Sequence, residues 1–195
     1  MNNTLPEFIK EEIVYSGRMF EVVLMTFKIG DKKVIYEKAR RAPGTRLIIT
    51  SPEGKILLIE EYRSEIRDWD IRLPGGKVCD SLEEYHAFLT SGDEMLEKAK
   101  NAAKKEALEE VGIIADDAKL FSLSTCGASV IWDLYYFVIT KYTEDPEGQH
   151  LELGENIKIK WVSVAEAKKL ALNGSVKEDR SAATLLRFLE TLPGN

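Results

Sequence analysis

Three glutamates near the middle of the chain, Glu106, Glu109 and Glu110, have the spacing of residues that share one face of a helix. At about 100° per residue, positions i, i+3 and i+4 lie within roughly 60° of one another. Carboxylates this close repel one another, and the pKa of each rises unless a positive charge compensates it. Mg²⁺ could supply that charge, because it binds a few carboxylates, keeps several waters and leaves room for phosphate oxygens. The spacing is therefore compatible with a divalent-cation site that handles phosphates.

The same three residues also fit an ordinary exposed helix face. Glutamate is a strong helix former, and an i,i+4 pair such as Lys105 and Glu109 stabilises a solvated helix. The three glutamates alone do not distinguish a metal site from a solvated helix face. The surrounding sequence has to be considered as well.

A long helix at about Asp93–Val111 is predicted to carry the glutamates. Ser91 and Glu94 fit an S-x-x-E capping box at its start, and Gly112 suits the left-handed position that ends a helix. A shorter helix, at about Leu82–Leu89, follows a similar box. Two more helices are predicted nearer the C-terminus, from Ser163 to about Gly174 and at about Ser181–Leu192.

Strands are predicted on both sides of these helices, from runs rich in Val, Ile, Phe and Tyr that turn residues separate. Because strands flank helices without strict alternation, we expect an α+β fold, a mixed β-sheet sandwiched between helices. The first three strands should form an N-terminal antiparallel β-sheet appendage over residues 1–42, which leaves 43–195 as the main domain. The predicted strands are Ile9–Ser16, Met19–Ile29, Lys33–Arg40, Arg46–Thr50, Lys55–Tyr62, Leu120–Ser124, Trp132–Thr140 and Ile157–Val162.

Composition narrows the class of protein. The chain has 195 residues, 44% hydrophobic and 31% charged, which is ordinary for a globular domain with a real core. Its formal net charge of -6 argues against nonspecific binding to nucleic acid or acidic membranes. Cys79 and Cys126 cannot form a disulfide framework, and no signal peptide or membrane-spanning run is evident. We therefore expect a cytoplasmic protein.

The run at 105–113 resembles the end of the Nudix box, R-E-U-x-E-E-x-G-U with U apolar, and departs only in having Lys at the first position. Glu97 lies eight residues earlier and matches the E-x7-R part of the box. Where the family has the first glycine of the box, this chain has Ser91. The L-P-G-G-K segment at 73–77 instead resembles the segment that precedes the box in ADP-ribose pyrophosphatase-like members. The chain thus resembles a Nudix hydrolase with an insertion at about 77–91 inside the box.

This resemblance implies roles for the glutamates. Glu106 and Glu110 match the main ligands of Mg²⁺ or Mn²⁺ in the family, and Glu109 belongs to the same cluster. Gly75 matches a residue whose backbone carbonyl also binds metal in relatives, although a turn glycine would fit the position equally well. The number of metals stays open.

The resemblance also implies a supporting ion pair and a general base. Lys105 stands where the family has Arg, paired with the box glutamate, here Glu97. Lys can form the ion pair but not the bidentate fork, so the loop would be held less rigidly. Relatives often take the base from the acidic loop before the last strand, where Glu155 fits the spacing best and Glu152 second. An ordinary solvated acidic loop is an equally good interpretation of these two residues.

Substrate contacts are predicted mainly from the strand ends. Arg63 ends a segment that resembles the family's Q-Y-R strand and could bind a phosphate. Arg46 and Arg72 are weaker candidates, and Arg72 replaces the Glu that usually precedes L-P-(A/G)-G. Trp69 could stack on a base, but an aromatic residue beside a strand is more often part of the core.

The function implied by the resemblance is hydrolysis of ADP-ribose or a nucleoside diphosphate sugar to a nucleoside monophosphate and a sugar phosphate. One alternative is a pyrophosphohydrolase for nucleoside triphosphates or another Nudix substrate. Another is a non-catalytic Nudix-fold module that binds nucleotides, which the intact glutamates disfavour. The resemblance further implies a homodimer through the N-terminal strands.

Overall fold

The computed structural model describes residues 5–92 and 94–193, and its strands and helices confirm the predicted α+β class. The strands are β1 (Glu7–Ser16), β2 (Glu21–Ile29), β3 (Lys32–Arg40), β4 (Gly44–Ile49), β5 (Ile56–Arg63), β6 (Asp68–Arg72), β7 (Ile113–Ala115), β8 (Lys119–Ser124), β9 (Val130–Ile131), β10 (Leu134–Ile139), β11 (Tyr142–Glu144) and β12 (Ile157–Val162). The helices are α1 (Leu82–Ser91), α2 (Met95–Val111), α3 (Val164–Leu172) and α4 (Asp179–Leu189).

The chain divides into two compact units. The first contains the described residues up to Pro43, together with 79–92 and Thr125–Asp133. The second contains Gly44–Val78, Glu94–Ser124 and the described residues from Leu134 onward. The predicted insertion helix, α1, therefore belongs to the unit of the N-terminal strands.

The first unit is built on a sheet with the strand order β1-β2-β3-β9. β1, β2 and β3 pair antiparallel as a meander, and the short β9 adds to β3 in parallel. Glu21 is fully buried here, and its carboxylate accepts hydrogen bonds from Arg40 and from His86 of α1. This polar cluster ties α1 to the sheet. All ten residues of β1 are exposed.

The start of the long helix differs from the prediction. Ser91 is the last residue of α1 and not the cap of the next helix. α1 ends there because Gly92 takes a left-handed conformation. The N-cap of α2 is Glu94, which makes no side-chain cap hydrogen bond. Asp93, the predicted first residue of the long helix, lies outside the described residues.

The second unit contains three small sheets, with the orders β4-β10-β8, β11-β7 and β12-β5-β6. β10 runs parallel to β4 and antiparallel to β8, so the first of these sheets is mixed. α2 packs on β4 and β10, α3 packs on β5, and α4 packs on α3 and β8. β4 is buried along its whole length, and the first four residues of β5 are buried as well, so these two strands supply the centre of the core.

Every predicted strand and helix is present, with its ends shifted by a few residues. Four observed strands, β6, β7, β9 and β11, were not predicted. They have two to five residues, too few to show alternation, and each forms by pairing with a neighbour. Within the described residues, no helix is long and apolar enough to cross a membrane.

Candidate active site

The buried face of α2 begins as a stripe of alanines and ends in a carboxylate. Ala99, Ala103 and Ala107 follow one another at intervals of four and are fully buried, so the helix can lie close to β4 and β10. Glu110 comes three residues after Ala107 on the same stripe and is only 6% exposed. The packing of the helix thus carries the Glu110 side chain below the surface.

Two glycines lie directly against the carboxylates of α2. The Gly75 N–H donates to Glu110 Oε2 over 2.6 Å. Gly75 has a φ of 137°, and a Cβ there would overlap the backbone of Thr45, so no other residue fits. A Cβ at Gly76 would overlap the carboxylate of Glu106. Gly75 is therefore required for this close approach, and Gly76 leaves the space that the Glu106 carboxylate occupies.

The pKa values of both carboxyl groups are strongly raised. Burial, followed by the charge of Glu106, raises the pKa of Glu110 to about 8, although the Gly75 N–H works in the opposite direction. Burial, followed by the charge of Glu109, raises the pKa of Glu106 to about 7. The doubly charged pair is therefore disfavoured near neutral pH without a compensating cation.

The chemistry of these donors fits Mg²⁺ or Mn²⁺. Glu106 and Glu110 offer hard carboxylate oxygens, and the glycines beside them leave space that a side chain would fill. Within residues 5–92 and 94–193, no group of three or more His, Cys, Asp or Glu side chains has metal-binding geometry. Mg²⁺ commonly takes only one or two carboxylates and completes its shell with waters and phosphate oxygens. Glu106 and Glu110 are the residues that would hold it.

Glu109 lies at the edge of this group. Its carboxylate forms an ion pair with Lys105 over 2.9 Å, which is the i,i+4 pair recognised in the sequence. Its charge still reaches Glu106 and raises the pKa of that group. Glu97 lies about two turns before Lys105 on α2, or about 12 Å along the helix axis, and the pairing of these two residues stays a prediction.

A loop at 145–150 holds the last turn of α2, whose carbonyls have no partners within the helix. The Gln149 side-chain amide donates to the carbonyl of Glu110 over 2.6 Å, and the His150 N–H donates to that of Glu109 over 2.9 Å. The imidazole of His150 hydrogen-bonds Asp145 over 2.6 Å. The loop thus fixes the backbone that carries two of the glutamates, a role that the sequence did not reveal.

Of the two predicted general bases, Glu155 lies nearer to the glutamates. Its charge contributes to the raised pKa values of both Glu106 and Glu110. The Glu152 N–H donates to Glu155 Oε2 over 2.8 Å, whereas the Glu152 residue itself is exposed. Glu152 therefore contacts Glu155 through its backbone.

Arg63 and Arg72 meet at a glutamate that the sequence analysis missed. Glu61 accepts from Arg63 Nη1 over 3.0 Å and from Arg72 Nη1 over 2.9 Å. The charge of Glu61 also raises the pKa of Glu110, so the glutamate that both arginines bind lies within electrostatic reach of α2. The signal was present in the spacing, because residues i and i+2 of a strand share a face. The contact with Arg72 could not be predicted, because the strand that carries Arg72, β6, was itself not predicted.

Arg46 and Trp69, the other two predicted substrate contacts, have protein partners as well, just as Arg63 is bound by Glu61 and Glu65. All three guanidinium nitrogens of Arg46 donate to protein acceptors, and the residue is only 5% exposed. The Trp69 ring packs edge-on against Tyr62, and Lys158 Nζ lies 3.4 Å from its centroid. Binding of a phosphate or a base would have to displace these partners.

Comparisons with known proteins agree with this geometry. Residues 40–183 match the model of the NUDIX domain. The chain is 20% identical over 176 residues to an ADP-ribose pyrophosphatase of Bacillus subtilis (strain 168), a match that covers 89% of this chain and 87% of that protein. A crystal structure of an ADP compounds hydrolase superposes with a TM-score of 0.72 at 18% identity, covering 100% of this chain and 98% of the other.

The structural match shows the shared fold, and the domain match includes the glycines, α2 and the acidic loop before β12. With most of the chain matched by that domain, this protein belongs to the Nudix family and is a Nudix hydrolase.

Proposed function

We propose that this chain is a Mg²⁺- or Mn²⁺-dependent hydrolase that cleaves the diphosphate linkage of ADP-ribose or a nucleoside diphosphate sugar. The products would be a nucleoside monophosphate and a sugar phosphate. The observation that carries the proposal is the pair of carboxylates, the half-buried Glu106 and the buried Glu110, packed on the Gly75–Gly76 backbone. The names of the ADP-ribose pyrophosphatase and the ADP compounds hydrolase support the substrate class.

A diphosphate resists hydrolysis because its negative oxygens repel the incoming nucleophile. A bound divalent cation would neutralise this charge and lower the pKa of a water. Glu106 and Glu110 would hold the cation. Arg63 and Arg72, which Glu61 holds side by side, would bind phosphate oxygens that the cation does not reach. Glu155 would accept the proton of the attacking water, since its charge reaches Glu106 and the Glu152 N–H orients its carboxylate.

A substrate panel tests this proposal. The protein would be incubated with ADP-ribose, GDP-mannose, UDP-glucose, Ap4A and dNTPs, with Mg²⁺, with Mn²⁺ or with EDTA, and the products separated by chromatography. Metal-dependent release of a nucleoside monophosphate from ADP-ribose or a nucleotide sugar supports the proposal. Turnover confined to dNTPs or Ap4A would reassign the substrate class. Tight binding without turnover of any compound would contradict hydrolysis altogether.

We also propose that the chain forms a homodimer through its N-terminal sheet. β1 is ten residues long and exposed throughout, and it carries a series of apolar side chains that a monomer would leave in water. A second copy would cover them. These exposed residues are Phe8, Ile9, Ile13, Val14 and Tyr15. A cytoplasmic location stays a prediction from the sequence.

A further inference from the structure

A largely buried ion pair, with the two side chains 6% and 18% exposed, lies next to the backbone of Gly75. Arg46 is on β4, a strand whose other side chains are aliphatic apart from Thr45, and its guanidinium binds the carboxylate of Glu178 in a bidentate manner. The two hydrogen bonds are 2.8 Å from Nε and 3.0 Å from Nη2. Glu178 is the N-cap residue of α4. The pair therefore joins a core strand to the start of the last helix.

Glu178 is held in its charged form. Burial alone would raise its pKa, but the hydrogen bond and charge of Arg46, together with the Ser181 hydroxyl, hold the pKa at about 2. Ser181 in turn lies 3.1 Å from the hydroxyl of the buried Tyr136. The carboxylate is thus fixed from two sides, and it fixes the plane of the guanidinium.

The third nitrogen of Arg46 reaches the loop that faces the glutamates. Arg46 Nη1 donates to the carbonyl of Thr45 over 2.9 Å and lies 3.4 Å from the carbonyl of Gly75. The N–H of the same Gly75 donates to Glu110. A continuous series of contacts therefore runs from Glu178 through Arg46 and Gly75 to Glu110.

We infer that Arg46 and Glu178 are a positioning pair, which sets the affinity of the divalent-cation site by holding Gly75 in place against Glu110. This inference rests on the proposed function, because it assumes that Glu110 binds the cation. Stability alone does not account for the pair, since buried ion pairs are often replaced by apolar residues without loss. An aliphatic residue would fill the core at position 46, but only a planar guanidinium can bind Glu178 with two nitrogens and direct the third to Gly75.

The test uses Mn²⁺ alone as the probe, with the full chain. Arg46→Lys keeps the charge but loses the fork, and Glu178→Gln keeps the shape but loses the charge. Both variants should bind Mn²⁺ about 10- to 100-fold more weakly than the unmodified protein, as is usual when a residue that orients a metal ligand is replaced. The dissociation constant would be measured by calorimetry, with circular dichroism to verify the fold. Glu190→Gln is the matched control, because Glu190 is exposed and its carboxylate forms a surface ion pair with Lys168.

Ser181→Ala serves if either variant fails to fold, because it removes only the hydroxyl that helps to fix Glu178, and it should weaken Mn²⁺ binding to a smaller extent. A purely structural pair would lower the melting temperature equally with and without Mn²⁺ and leave the dissociation constant unchanged. That result would overturn the inference. Weaker Mn²⁺ binding in a protein that hydrolyses none of the panel substrates would retain the inference and reject the proposed function instead.

Discussion

Glu110 is buried, Glu106 is half-buried, and each carboxyl group has a second carboxylate as its neighbour, a combination that a surface glutamate lacks. Their raised pKa values follow from the burial and from the neighbouring charge. In a folded protein such an arrangement lowers stability unless a ligand offsets it, so its presence in the family's metal-binding motif is informative. The two carboxyl groups should therefore respond both to substitution and to pH.

Glu110→Gln should leave the fold intact and remove most of the turnover. The amide oxygen of Gln can still accept the Gly75 N–H, and a neutral side chain avoids the burial of a charge. An amide is a much weaker ligand for Mg²⁺, so we expect turnover to fall by at least about 100-fold. Steady-state kinetics and circular dichroism would measure the two effects, with Glu190→Gln as the unaffected control. A fully active Glu110→Gln variant would remove Glu110 from the metal site.

The stability of the metal-free protein should fall as pH rises through 7 and 8. The folded pKa values, about 7 for Glu106 and about 8 for Glu110, lie above the ordinary 4.5 expected in the unfolded chain. Their contribution to folding is therefore complete below about pH 4.5 and is lost as pH rises through the folded values. Mg²⁺ binds the deprotonated form, so the stabilisation it provides should increase over the same range.

Melting temperatures would be measured with Mg²⁺ and with EDTA between pH 5.5 and 9. The melting temperature with Mg²⁺ should exceed that with EDTA by an amount that increases with pH. Glu110→Gln should flatten the difference, which separates these two groups from every other group that titrates. A difference that does not depend on pH in the unmodified protein would contradict the prediction.

The end of α2 requires a glycine for two reasons, a left-handed backbone and a lack of space for a side chain. The effect of the lack of space can be measured separately. Gly112 and Gly92 both take left-handed positions at helix C-termini, with φ of 69° and 77°. A Cβ at Gly112 would lie 2.6 Å from the backbone carbonyl carbon of Gly148, whereas a Cβ at Gly92 would have no neighbour within 4 Å. The two glycines are therefore a matched pair that differs only in the space available.

Gly92→Ala should cost about 1–2 kcal/mol in the free energy of unfolding, from the strained backbone alone. Gly112→Ala should cost about 1–3 kcal/mol more, because the added methyl group displaces the loop at 145–150. Activity should fall only for Gly112→Ala, since Gln149 and His150 of that loop hold the carbonyls of Glu110 and Glu109. Urea unfolding and kinetics would compare the two variants. Equal costs at both positions would show that the loop adapts to the methyl group.

Elements with a long periodic pattern could be predicted from the sequence, and short ones could not. α2 has an apolar stripe and a terminal glycine, so its existence and its C-terminus were both predictable. Its N-terminus was predicted incorrectly, because Ser91 fits a capping box whether or not the preceding helix has ended. β6 has only five residues, and so the ion pair between Arg72 and Glu61 had no local signal.

At the scale of the whole molecule, β1 exposes a series of apolar side chains that the proposed dimer would cover. Light scattering should give a mass of twice the 22.0 kDa of one chain. Replacing Ile13 and Val14 by Lys should yield a monomer, because burying two ammonium groups in the interface is unfavourable. Ile66→Lys is the control, since Ile66 is 52% exposed, as is Val14, but lies in the second unit. An unmodified chain that is monomeric would contradict the dimer.

The family of this protein and its hydrolase class could be derived from its sequence because the key spacings are local. Residues three and four apart on one helix share a face in any fold, and so the glutamates of α2 and their family motif were recognisable. The partners of the arginines were not. Arg46 and Glu178 are 132 positions apart, and nothing in either segment of the sequence indicates that the two side chains will pair. Whether an arginine faces a substrate or holds a loop depends on long-range packing, which has no periodicity in the sequence.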